Sequence, residues 1–258
     1  MNIHFAETAT ADIHAFIVDE DGGLPAAAKA LDEEAGGLLS EALAAESFTG
    51  KVGQQAFIVL PKAASARRAV LIGGGKADKR DDRALENLGA QLYKAQSGSG
   101  FASLALHVGK AEEAARIAVG MRLAAYRFDD YRTKLKDEDK PKLVDITFVL
   151  KGDKTAAELF APLSAGVDGT YMARDLVNMP PNDLNPETYA AKIETLSELG
   201  LEIEILGEAE LEKLGMRSML GVGQGSVKES KLGIMRWNGG KGGDAPVALV
   251  GKGVCFDT

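Results

Sequence analysis

The feature that most constrains this chain is an alternation that runs through its N-terminal half. Short apolar runs alternate with longer stretches in which apolar residues recur at helical spacing. Short runs bounded by turn residues read as strands, and i, i+3, i+4 patterns read as amphipathic helices. Their alternation builds layered α/β structure. The expected strands are Asn2–Ala6, Ile13–Val18, Gln55–Leu60, Ala69–Ile72, Ser103–Val108 and Val144–Leu150. Pro25–Ser47, rich in Ala, Leu and Glu, predicts helix, weakened in its middle by Gly36-Gly37. Asp82–Gln96 carries Leu85, Leu88 and Leu92 on one face, and Glu112–Tyr126 does the same with Ala115, Ala118, Met121 and Ala125. These elements predict an α/β domain with a mixed, mostly apolar sheet over residues 1–153.

A polar segment, Asp129–Lys142, precedes the last of those strands. Its lysines alternate with Asp137, Glu138 and Asp139, which reads as a solvated loop rather than a basic patch. Thr155–Asn178 then predicts a long helix with Leu159, Leu163, Val167 and Leu176 on roughly one face, serving as a connector over residues 154–180. Pro180-Pro181 stops it, because proline lacks a backbone donor and disfavours helix in the residue before it. A second α/β domain is expected over residues 181–258. Asn185-Pro186-Glu187 is a helix start: a capping amide, proline at the first helical position and an acid in the first turn. That helix should run to Leu199 and stop at Gly200. Leu201–Leu206 and Leu232–Trp237 read as strands, Glu208–Leu214 as a short helix, and the continuous apolar run Val247–Val250 as a buried parallel strand. So few elements make a poor closed domain, so this part is expected to be the start of a larger unit.

Composition sets bounds on function. With 258 residues, 45% apolar and 26% charged, the chain can bury a real core. Its net charge of -8 argues against nucleic acid or an anionic membrane as partner. The single cysteine, Cys255, excludes an intrachain disulfide and fits a reducing compartment. Met1–Phe5 lacks a secretory pattern, and no apolar run approaches the length of a membrane helix, so the expected location is cytoplasmic.

Most motif fragments dissolve on inspection. Gly73-Gly74-Gly75-Lys76 fails as a phosphate loop, since Val70 and Ala77 occupy positions that need Gly and Ser/Thr. Gly221-Val222-Gly223-Gln224-Gly225-Ser226 fails the dinucleotide fingerprint at Ser226, and both stretches read as tight turns. His4, His14 and His107 fall in or beside predicted strands, with no Gly-x-Ser-x-Gly elbow and no zinc-ligand spacing, and read as packed or surface residues. The segment after Val250 differs. Ligands collect at the carboxyl ends of parallel strands, and Gly251 and Gly253 permit a turn that aims Lys252 and Asp257 at one centre. Carboxylates suit hard or borderline divalent cations, whereas a lysine coordinates only as the neutral amine after losing its proton. Spacing alone leaves a solvated lysine and a turn aspartate as the ordinary alternative.

Val250-Gly251-Lys252-Gly253-Val254-Cys255-Phe256-Asp257-Thr258 resembles the first metal-binding motif of the leucyl (cytosol) aminopeptidases. Three other stretches agree in order and spacing. They are Tyr126-Arg127-Phe128-Asp129 with Tyr131-Arg132-Thr133-Lys134, then Arg174-Asp175-Leu176-Val177-Asn178 with Pro180-Pro181-Asn182, then Gly215-Met216 with Leu220–Ser226. The resemblance implies a two-domain α/β subunit in which residues 181–258 start a three-layer α/β/α catalytic domain, and a dinuclear metallopeptidase that releases N-terminal residues, often leucine, from peptides. It also implies two divalent ions (zinc, manganese or magnesium), a homo-hexamer, Lys252 as ligand of one metal and Asp257 as bridge between both. Two metals would lower the pKa of a bridging water, polarise the scissile carbonyl and hold the substrate's free amine. In the family, a Gly-Gly turn, a catalytic lysine, further acidic ligands and a catalytic arginine come after this motif, and none follows Thr258 here. The expectation is therefore that this chain carries part of the enzyme and is inactive alone. The alternative is a non-catalytic oligomerisation or binding module derived from the same N-terminal half.

Overall fold

The computed structural model describes residues 1–20, 22–45 and 47–255. They divide into two compact units, Met1–Ala173 and Arg174–Thr258. The first unit is built on six strands: β1 (Asn2–Ala6), β2 (Ile13–Asp19), β3 (Gln55–Val59), β4 (Arg68–Gly75), β5 (Ser103–His107) and β6 (Asp145–Val149). Their order in the sheet is β1-β6-β5-β2-β4-β3. Every pairing is parallel except that of the edge strand β3 with β4, which makes the mixed sheet that the alternation predicted.

Alternation within each strand sends side chains to two cores. Ile13, Ala15, Leu104, Leu106, Ile146 and Phe148 face helices α3 (Asp82–Gln96) and α4 (Ala111–Ala125). Phe16, Val18, Ala56, Ile58, Ala69 and Leu71 face α1 (Ala26–Glu34) and α2 (Leu38–Ala45). The expected single helix over Pro25–Ser47 is thus two helices. Gly36 and Gly37 both sit at positive φ (70° and 90°), which no helix interior accommodates, and the chain turns there. The strand expected at Ala69–Ile72 runs on through Gly73–Gly75, so that stretch is strand end rather than tight turn, held by pairing with β2.

Helices α3 and α4 approach until their backbones touch. A Cβ on Gly120 would lie 1.8 Å from the Glu86 carbonyl oxygen, and one on Gly89 would lie 2.1 Å from that of Ile117. Around this crossing Arg116 pairs with Asp82 (2.7 Å) and Glu86 (3.2 Å). Helix α5 (Asp153–Asn178) follows, with Pro162 inside it.

In the second unit, α6 (Pro186–Glu194) starts as its sequence predicts. The Asn185 side chain accepts from the Glu187 and Thr188 amides, and Thr188 Oγ1 accepts from the Asn185 amide. A 3-10 turn, Thr195–Leu199, ends at Gly200 in the left-handed region. Strand β7 (Glu202–Leu206) pairs antiparallel with β8 (Leu232–Arg236), and α7 (Glu208–Lys213) and α8 (Arg217–Gly223) lie between them in sequence. Two expectations fail in this unit. The Gly221–Gly223 stretch closes α8 instead of forming a turn, because Met216 accepts backbone bonds from Met219 and Leu220 and starts the helix. Val247–Val250 forms no strand: Val247, Leu249 and Val250 are 89%, 95% and 97% exposed. An apolar run becomes a buried strand only where a neighbouring strand takes its backbone groups, and none among the described residues does.

Candidate functional site

The loop singled out by its Lys and Asp leaves the exposed Val247–Val250 segment in irregular conformation. Lys252 is exposed, and its carbonyl accepts from the Val254 amide at 3.2 Å. Gly253 lies against Tyr189 on α6: a Cβ there would stand 2.9 Å from Cε1 of the ring. Cys255 is a half-buried free thiol, and burial pushes its pKa up, which favours the uncharged form. Asp257 lies outside the described residues, so its geometry relative to Lys252 is not described.

Among the described residues no group of three or more His, Cys, Asp or Glu side chains could hold a metal ion. An exposed amine without a carboxylate cluster does not fit a dinuclear centre, since divalent ions of this class need several oxygen, nitrogen or sulfur donors at once. The described residues therefore do not form a metal site by themselves.

Other stretches that carried the resemblance have local structural roles. In the segment after α4, Arg127 grips Asp129 through Nε at 2.7 Å and Nη2 at 3.3 Å, with Arg132 at 3.7 Å from the same carboxylate. The hydrogen bond from Arg127 holds the Asp129 carboxyl below its ordinary range. The solvated reading of the following loop agrees with its exposed pairs, Lys136–Glu138 and Lys140–Asp137. Arg174, Asp175 and Asn178 occupy the last turns of α5.

Two features appear only once the sheet is assembled. His14 on β2 and His107 on β5 meet across neighbouring strands, His14 Nδ1 lying 3.0 Å from His107 Nε2, and Phe16 stacks on the His107 ring at 4.7 Å. One proton is shared between the facing nitrogens. Burial pulls the pKa of His107 down to about 4, with His14 adding repulsion. Burial lowers His14 as well, opposed by the charge of Glu34. A cleft of about 840 Å³ opens at the carboxyl edge of the same sheet, lined by residues from Glu7 to Lys151. The separate reading of each histidine as a packed residue survives, but their adjacency depends on strand order, which no local pattern shows.

With the geometry in place, comparison with known proteins locates the chain. The family model described as the N-terminal domain of the cytosol aminopeptidase family matches residues 15–135. The model of that family's catalytic domain matches residues 171–258. The chain belongs to the cytosol aminopeptidase family. A probable cytosol aminopeptidase of Caulobacter vibrioides is 46% identical over 95% of this chain and 50% of its own length. That of Agrobacterium fabrum is 40% identical over 100% of this chain and 53% of its own. The chain thus spans about half the length of the curated relatives it matches.

Solved structures agree in fold. A tomato leucine aminopeptidase mutant superposes with a TM-score of 0.75 at 21% identity, covering 89% of this chain and 49% of that one. The bottromycin maturation enzyme BotP in complex with Mn gives 0.65 at 23% identity, over 86% and 44%. The α/β architecture and the family resemblance read from the sequence therefore both hold. Among the described residues, no helix is long and apolar enough to cross a membrane.

Proposed function

We propose that the whole protein is a metal-dependent aminopeptidase that releases N-terminal amino acids, typically leucine, from peptides with a free amino terminus. The observation that carries this reading is the match of the family's catalytic domain over residues 171–258, the stretch that contains the Lys252/Asp257 loop. Lys252 is assigned as ligand to one divalent ion and Asp257 as the bridge between two. Manganese, zinc and magnesium all suit an amine and carboxylate set; BotP, a structural neighbour, was solved with Mn. The remaining donors, and the lysine and arginine that act on the substrate, would come from polypeptide outside these 258 residues. The expected assembly is a cytoplasmic homo-hexamer whose partners are peptides, with no membrane or nucleic-acid role. Residues 1–153, 154–180 and 181–258 are proposed as N-terminal domain, connecting helix and first part of the catalytic domain.

The test is hydrolysis of a leucine anilide by the full-length protein, with and without a chelator. Activity should vanish on chelation and return with manganese or zinc. Lys252→Ala and Asp257→Ala should each lower kcat/KM at least about 100-fold, the size expected when a metal ligand or its support is lost. Unchanged activity in both variants would remove the site assignment. The 258-residue chain alone should bind metal weakly and show no turnover; turnover by it would show that its own residues suffice.

A further inference from the structure

The cleft at the carboxyl edge of the six-stranded sheet lies outside the proposed peptidase loop, and the sheet topology explains why it exists. After β2 the chain turns to α1 on one face of the sheet; after β5 it turns to α4 on the other. Strands β2 and β5 are neighbours, so their following segments diverge and leave a crevice between the strand ends. Such switch points are where open parallel sheets take ligands. The strands deliver Phe16, Ile17 and Asp19 from β2, and His107 with Val108, Gly109 and Lys110 from β5 and beyond, to this crevice. Its volume of about 840 Å³ falls within the range of small-molecule sites.

The polar groups along its walls are not equally spent. Arg80 has a side chain only 7% exposed; its guanidinium pairs with Asp19 and lies 3.9 Å from Glu113. Its Nε is buried with no acceptor among the described residues, a cost that a native interior rarely leaves unmet. Lys151 reaches the cleft from the end of β6 and makes no ion pair among the described residues. The amides that open α4 have no side-chain cap, and the helix begins on the cleft wall at Lys110. Among groups without a partner, donors therefore prevail over the single exposed carboxylate of Glu7. Beside them the partly exposed His107 ring gives a flat floor, backed from within by the buried Phe16 ring stacked on it.

We infer that this cleft binds a small organic molecule with an oxyanion head, a phosphate monoester or a carboxylate, joined to an apolar or planar body. The head faces Arg80, Lys151 and the start of α4; the body rests on the His107 ring that Phe16 backs. The site is independent of the peptidase reading, so either can fail without the other.

The test is titration of the 15N-labelled 258-residue chain with AMP, inorganic phosphate and leucine, following backbone amide shifts. AMP should give saturable shifts at Phe16, His107, Gly109 and Lys110. Lys151→Glu should weaken it about fivefold, the size of one exposed charge contact, with the rest of the spectrum unchanged. Lys142→Glu, the same charge change in the solvated loop, should leave the affinity as it was. Binding of AMP and phosphate without leucine identifies a phosphate ligand; binding of leucine at these amides without phosphate identifies a carboxylate. The inference is overturned if none of the three shifts these amides up to about 10 mM, a Kd beyond which binding is not specific. It is also overturned if Lys142→Glu weakens binding as much as Lys151→Glu, or if phosphate binds as tightly as AMP, which would leave the ring floor without a role.

Discussion

The histidines at positions 14 and 107 show what a residue's neighbours do to its chemistry. Two facing ring nitrogens 3.0 Å apart hold one proton between them, and a second proton there would set two N–H groups against each other. Burial and mutual repulsion both keep His107 neutral, with a pKa of about 4 against an ordinary 6.5. The sign follows from linkage. Above pH 6.5 the ring is neutral in both folded and unfolded chains. As pH falls from 6.5 toward 4, the unfolded chain takes up the proton and the folded one does not, so stability is lost across that window and levels off below it. Undiscounted, the shift is worth roughly 3 kcal/mol. The ring is partly exposed, so about 1–2 kcal/mol is the expected effect. Denaturant melts of His107→Gln should show a shallower fall in stability between pH 6.5 and 4 than the parent chain. An identical slope would mean that the pair titrates freely in the fold.

At the scale of elements, the contact of α3 with α4 sets two glycine effects against each other. Gly120→Ala would gain about 1 kcal/mol of helix propensity. The new methyl, however, would stand 1.8 Å from the Glu86 carbonyl, well inside van der Waals distance, and the helices must separate around Leu88, Ile117 and Met121 to admit it. Overpacking of a closed core costs about 1–3 kcal/mol, so the clash wins. Thermal unfolding of Gly120→Ala should begin several degrees lower; an unchanged midpoint would show that the helices slide apart freely. This contact also marks how far the sequence can be read. Leu85, Leu88 and Leu92 announce α3 because one helix face suffices to show a period, and its bounds come out as Asp82–Gln96. Gly89 and Gly120 carry no such signal, since their role exists only between two helices. The same holds for β4, whose last three glycines lack strand character and join the strand through the pairing of Gly73 and Gly75 with β2, Gly75 at a φ of 67°. The converse error is Val247–Val250, where strand character is plain and the partner is absent among the described residues. The proposed role of Lys252 rests on a contiguous motif, the kind of feature a sequence displays directly. The cleft was not legible in this way, because its walls come from five strand ends spread between residues 7 and 151, and their order is a property of the sheet.

At the scale of the molecule, the two units differ in how much apolar surface they bury. The first holds two cores, one on each face of its sheet, with Phe16, Phe148, Leu71, Leu92 and Ile117 fully enclosed. In the second, Leu184, Ala190 and Leu211 are the buried apolar side chains among the described residues, while Val227, Trp237 and Leu249 are 99%, 68% and 95% exposed. Burial of a full aliphatic side chain contributes about 1.5–3 kcal/mol, against about 1–2 kcal/mol of backbone entropy for every residue ordered. Three buried side chains cannot offset the ordering of more than a few turns, so in this chain the second unit has little stability of its own, whereas the central strands of the first open only with global unfolding. Native-state hydrogen exchange should report this directly. Amides of β2, β4 and β5 should exchange with the largest opening free energies, and those paired between β7 and β8 should exchange at least about 100-fold faster, a gap of about 3 kcal/mol. Equal protection in the two sheets would mean that the exposed apolar residues of the second unit are covered in solution, by a second copy of the chain if protection rises with concentration.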